Sequence, residues 1–185
     1  MTGIMVDGIN ADVPAILARW GRTTPVAYPV DGIYAWTANQ IGDFSHHMGY
    51  SILAGNNSSH VAARARCKDV EARWRVGGDA GPQDVPPWLA ARAAFCQRAG
   101  HPDDATVYCS LYTVPAVLAQ LGGNVEAVPR WWLAWYWGRP TAPTAEQVRA
   151  ALTDQEGVTL PLDRIWGCQF VSYQNYDVSA VYGTF

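Results

Sequence analysis

Eight short apolar runs punctuate the chain, at residues 3–7, 25–30, 49–54, 65–71, 105–110, 131–136, 165–170 and 178–182. Their length and their turn-forming flanks predict strands. Between several of them, apolar residues recur at helical spacing behind recognisable start and stop signals. Asp12 precedes Ile16, Leu17 and Trp20, and Gly21 follows them. Asp84, Pro86 and Pro87 open the run Trp88–Ala99, which Gly100 ends. Thr113 and Pro115 lead into Val117, Leu118 and Leu121, ahead of Gly122. Thr144 and Gln147 form a capping box before Val148 and Leu152. Strands alternating with helices predict a mostly parallel sheet, and eight such strands predict a closed barrel.

The connections modify that expectation. Segments 55–64 and 171–177 are too short for full covering helices, and 31–48 has room only for a short helix around Thr37–Phe44. The chain has 185 residues, against about 250 for a full eightfold barrel. The expected fold is therefore α/β: a single reduced, TIM-like β/α barrel over residues 1–185, eight strands with some helices missing. Arg66 and Lys68 fit this picture. If Cys67, Asp69 and Glu71 face inward, these two cations face outward, onto a wall that no helix covers.

Composition narrows the function. Apolar residues make up 49% and charged residues 16%, which describes a folded globular chain. The net charge is −3, with twelve Arg, one Lys and no basic block, which disfavours a nucleic-acid partner. The longest apolar run, 131–137, is too short to cross a membrane. The N-terminus lacks the basic and apolar regions of a secretory signal peptide. Four widely spaced cysteines without a CxxC pair predict buried free thiols. The four histidines lack metal-binding spacing, so neither metal nor cofactor is expected. Nine Trp and nine Tyr divide among core, protein interface and sugar platform.

Active sites of parallel barrels lie at the C-terminal strand ends. Reading those ends collects Asp7, Asp31, Asp69, Glu71, Ser110, Trp135 to Trp137, Gln169 and Asp177. Asp69-Val70-Glu71 is the sharpest element. Residues two apart on a strand share a face, with Cα atoms about 6.6 Å apart. Carboxylates at that spacing repel, so one keeps its proton toward neutral pH and can serve as a general acid. Glycoside hydrolysis needs such a donor and a second carboxylate. The competing reading is a solvated strand end paired with Arg73 and Arg75. In the string Trp131–Trp137, alternate residues belong to the core, or one set forms a sugar platform at the rim.

These residues carry a resemblance. The order Asp7, then Asp69-Val70-Glu71, then the Trp-rich strand, then Gln169-Phe170 and a terminal Tyr176-Asp177 resembles the glycoside hydrolase family 25 lysozymes. It is most similar to the domains of this type in actinobacterial proteins and their phages. The resemblance implies a reduced β/α barrel in which Glu71 is the catalytic acid and Asp69 positions or stabilises the reacting sugar. It also implies that Asp7, Asp177, Gln169, Trp135 and Tyr28 contact the glycan. The chain has Asp7-Gly8-Ile9-Asn10 where the family has Asp-Val-Ser. The implied partners are cell-wall glycan (peptidoglycan) and other phage tail proteins. The implied setting is a phage virion, as a minor tail protein made in the host cytoplasm. The alternatives are a free endolysin-type muramidase and a catalytically inactive structural barrel.

Overall fold

The computed structural model describes residues 3–71, 78–174 and 176–184. The strands are β1 (Gly3–Asp7), β2 (Val26–Pro29), β3 (His47–Ser51), β4 (Cys67–Val70), β5 (Thr106–Ser110), β6 (Arg130–Ala134), β7 (Ile165–Ser172) and β8 (Asp177–Val181). They close into a barrel in sequence order. All eight apolar runs are strands, as expected. From β1 to β7 each strand is parallel to the next, whereas β8 runs antiparallel to both β7 and β1. The reason is the connection. Only residues 173–176 separate β7 from β8, and a parallel return needs a crossover of about a dozen residues. Tyr173 N donates to Tyr176 O at 2.8 Å and closes this hairpin.

Among the described residues six α-helices stand between the strands: α1 (Val13–Trp20), α2 (Ala38–Gly42), α3 (Ser59–Arg64), α4 (Val85–Ala99), α5 (Val114–Gln120) and α6 (Ala145–Glu156). The short connections hold only short helices, five residues in α2 and six in α3. Prolines early in α4 fall where the backbone N–H has no helical partner anyway. Gly100 ends α4 in the left-handed region at φ 69°, which a side chain would resist. In α6 the capping box is in place: Gln147 N donates to Thr144 Oγ1 at 3.3 Å and Thr144 N to Gln147 Oε1 at 2.8 Å. No helix among the described residues is long and apolar enough to cross a membrane.

Alternation along the strands builds two cores. Val6, Val26, Val107, Trp131 and Leu133 face out and pack with Trp88, Val148 and Leu152 from the helices. Met5, Ala27, Met48, Cys67 and Trp132 face in and fill the barrel. Trp132 Nε1 donates to Ser179 Oγ at 2.9 Å, joining β6 to β8 across the interior.

Lys68 corrects one expectation. It does lie on the opposite face from Cys67, but it is fully buried. Its Nζ donates to Ser51 Oγ at 3.0 Å and to Leu53 O at 2.7 Å. Leu53, in the loop after β3, caps the ammonium, which is enclosed rather than solvated. Arg66 is partly exposed and pairs with Asp104 at 2.7 Å. The described tryptophans are mainly structural: Trp36, Trp88, Trp131, Trp132 and Trp166 are buried, and Trp20, Trp135 and Trp137 half-buried. All four cysteines are buried free thiols.

Candidate active site

The reversal of β8 brings its first residue to the rim where the other strands end. Asp177 there is the register partner of Asp7, the last residue of β1. Directly paired side chains on antiparallel strands have Cβ atoms about 5 Å apart, so the two carboxyls stand side by side. Burial first, and then the charge of Asp177, push Asp7 up to about 8. Tyr50 Oη, reaching across from β3, donates to Asp7 Oδ1 at 3.0 Å and opposes that rise. Burial also raises Asp177, while hydrogen bonds from the Ser172 and Gln169 side chains favour its charged form.

Asp69 on β4 is nearly enclosed, at 7% exposure, and its Oδ1 has no hydrogen-bond partner. Burial, then the charges of Glu71 and Asp7, hold it well above the usual carboxylate range. The Asp69–Glu71 hydrogen bond raises Asp69 and lowers Glu71. Asp69 is therefore the neutral donor and Glu71 the acceptor. Glu71 is nonetheless raised from its ordinary value, first by burial and next by the charge of Asp79.

Three cavities of about 400, 400 and 500 Å³ open at this rim, and Glu71 borders all of them. The first runs between Tyr108, Tyr112 and Tyr136. The second holds Asp7, Asp69 and Asp177 with Tyr173. The third extends past Tyr50 and Tyr34 to Asp79. Together they form a groove across the barrel mouth that passes through Glu71. Tyr34, Tyr112, Tyr136 and Tyr173 are 42–54% exposed, and each borders one of these cavities. They are the large exposed aromatic side chains of the described residues.

The structure thus brings Asp7, Asp69, Glu71 and Asp177 together. Gln169 belongs with them: it is buried, its Nε2 donates to Tyr136 Oη, and its Oε1 has no partner. Trp135 borders the first cavity, but it is half-buried against the outer core and packs on Trp137 at 5.3 Å between ring centroids. Its neighbour Tyr136 turns toward the acids instead. Strand alternation held the signal, since Tyr136 shares parity with inward-facing Trp132 and Ala134.

Tyr28 is a correction. It lies on the outer face of β2, stacked on Trp36 with centroids 5.5 Å apart, because inward-facing Ala27 sets the opposite parity. Asp31 accepts from Ser51 Oγ, Ile52 N and Asn56 Nδ2, which ties it to the adjoining loop. Ser110 bonds to Thr113 at 2.9 Å. Arg73 and Arg75 lie outside the described residues. Among the described residues no group of three His, Cys, Asp or Glu side chains has metal-holding geometry.

No family model matches the sequence, and no curated protein does. Solved structures do match. The modular Cpl-1 endolysin, complexed with a peptidoglycan analogue as a Glu-to-Gln mutant, superposes with a TM-score of 0.57 at 14% identity, over 97% of this chain and 54% of that one. The modular autolysin LytC from Streptococcus pneumoniae, in complex with a synthetic peptidoglycan ligand, matches with a TM-score of 0.51 at 13% identity, over 98% of this chain and 47% of that one. A second LytC structure gives 0.52 at 14% identity. The chain spans about half the length of these proteins. At such low identity the likeness concerns the backbone: this chain folds as the TIM-like β/α barrel found in these cell-wall hydrolases.

Proposed function

We propose that the groove binds the glycan of peptidoglycan and that the rim carboxyls hydrolyse it, in the manner of a family 25-type lysozyme. The observation that carries this reading is the position of Glu71, at the junction of three cavities and with Asp69 donating into it. The peptidoglycan ligands bound to the structurally similar proteins support it.

In this mechanism the exposed tyrosines stack on sugar faces and lay the chain over the rim. Glu71, whose carboxyl is raised first by desolvation and next by the charge of Asp79, protonates the glycosidic oxygen as the bond to the anomeric carbon breaks. The carboxylate left behind is stabilised by the hydrogen bond from neutral Asp69. Asp177, held by Ser172 and Gln169, offers negative charge to the oxocarbenium-like transition state. Water then adds to the anomeric carbon and its proton returns to the carboxyl cluster. Asp7, at about 8, is mostly neutral at pH 7 and serves as a hydrogen-bonding wall of the groove.

Release of reducing ends from peptidoglycan tests this. Glu71→Gln should lower the rate by about 10²–10⁴-fold while glycan binding is retained. Equal rates, or none from either protein, would end the hydrolase reading.

The setting we propose is a phage particle, as a minor tail component that meets the host wall. It rests on the sequence resemblance to phage proteins of this type. A freely released endolysin is the second reading, favoured by the endolysin among the similar structures. Mass spectrometry of purified particles separates the two.

A further inference from the structure

The outer wall of the barrel carries another cavity, of about 410 Å³, that shares no lining residue with the groove. It lies where His47 opens β3 and Arg66 leads into β4, toward the strand ends opposite Glu71. Its lining is basic. Arg64, Arg66 and Arg92 converge there, with His47 and His101 at the edge. Arg66 and Arg92 share a single carboxylate, Asp104, each at 2.7 Å. Arg64 is exposed and has no ion pair among the described residues. Two guanidinium groups on one carboxylate and a third with none leave net positive charge in a chain whose total is −3.

Tyr28 completes the cavity. Its ring is buried against Trp36, and its hydroxyl makes no hydrogen bond to a described residue. Tyr28 lines the cavity together with Arg64, whose charge acts on the phenol, and its hydroxyl is an available donor there. The aromatic that the sequence suggested for glycan contact sits in this second site.

We propose that this cavity binds a phosphate ester of a sugar or polyol. Guanidinium forks match phosphoryl oxygens in a bidentate way. Arg64 and the outer nitrogens of Arg66 would hold the phosphate, with Tyr28 donating a further hydrogen bond. Arg92, tied to Ala62 O and Asp104, contributes charge. The volume exceeds what a bare phosphate fills and falls in the range of about 300–1,000 Å³ typical of small-molecule sites. The rings of Tyr28 and Phe95 supply an apolar wall for the ester's organic part. The site is independent of the hydrolase reading, because it touches none of the rim residues.

Isothermal titration at fixed ionic strength tests it, with glucose 6-phosphate, glycerol phosphate, inorganic phosphate and glucose as probes. The two esters should bind at one per chain, inorganic phosphate more weakly, and glucose not at all. Arg64→Ala should weaken ester binding about tenfold or more, and Tyr28→Phe about threefold. Arg98→Ala, an exposed charge on α4 outside the cavity, and Glu71→Gln should leave it unchanged. No binding of either ester, unchanged affinity in Arg64→Ala, or inorganic phosphate binding as tightly as the esters would each overturn the proposal.

Discussion

Asp7 shows how much one residue can shape the behaviour of the molecule. In the folded chain it holds a proton up to about pH 8, whereas its ordinary value is 3.8. The folded state therefore binds more protons than the unfolded state between these values, and stability falls as pH rises through that window. Asp7→Asn removes the titration. Thermal unfolding at pH 5 and pH 8 should show the wild type losing more of its Tm on going to pH 8 than the variant does. Lys68 acts in the opposite sense. Its ammonium is enclosed, and it binds Ser51, which in turn donates to Asp31 at 2.7 Å. Lys68→Met keeps the volume but leaves Asp31 and Leu53 O without their cation. A loss of about 2–4 kcal/mol is expected in urea unfolding. At Asp69, the neutral donor to Glu71 can be imitated by an amide. Asp69→Asn should therefore retain more reducing-end release than Asp69→Ala, and equal loss in both would reject the donor role.

At the scale of elements, the chain's pattern announces most of what forms. Helix α6 starts where Thr144 and Gln147 say it should, and Thr144→Ala should cost about 1 kcal/mol in chemical unfolding through its lost cap. Strand positions were legible because alternation and turn residues are local. The direction of β8 was less so, since a strand alternates identically in either sense. The seven residues 171–177 signalled a missing helix, but the hairpin they imply was needed to explain why Asp177 belongs to the rim. The candidate acids were legible because strand ends could be located. The aromatic lining was not. Tryptophan drew attention as a sugar platform, yet Trp131 and Trp132 went to the two cores and exposed tyrosines took the groove. Lys68 eluded the sequence for a related reason. Parity told which face it occupies, while burial depends on the loop after β3, whose Leu53 O accepts from the ammonium.

For the molecule as a whole, an unbroken ring of eight strands leaves no sheet edge exposed. Its interior is plugged by Trp132, which meets the rings of Tyr50, Tyr108 and Trp166. Trp132→Ala should destabilise the fold by about 3–5 kcal/mol, with the glycan affinity proposed for the groove falling along with it because Tyr50 and Tyr108 lose their support. Calorimetry and glycan titration on the same sample check both. Among the described residues, Asp7, Asp69, Glu71 and Asp177 gather at one mouth, while Arg64, Arg66 and Arg92 gather at a cavity on the outer wall.

The reversed last strand has one more effect. Gly3 pairs with Val181, so the chain enters and leaves the barrel side by side, at the end away from Glu71. A segment joined ahead of Gly3 or behind Val181 would therefore leave the barrel on the side away from the groove. The same adjacency allows the two termini to be spliced through a short linker and new ones cut elsewhere in a surface loop, with the barrel expected to assemble unchanged.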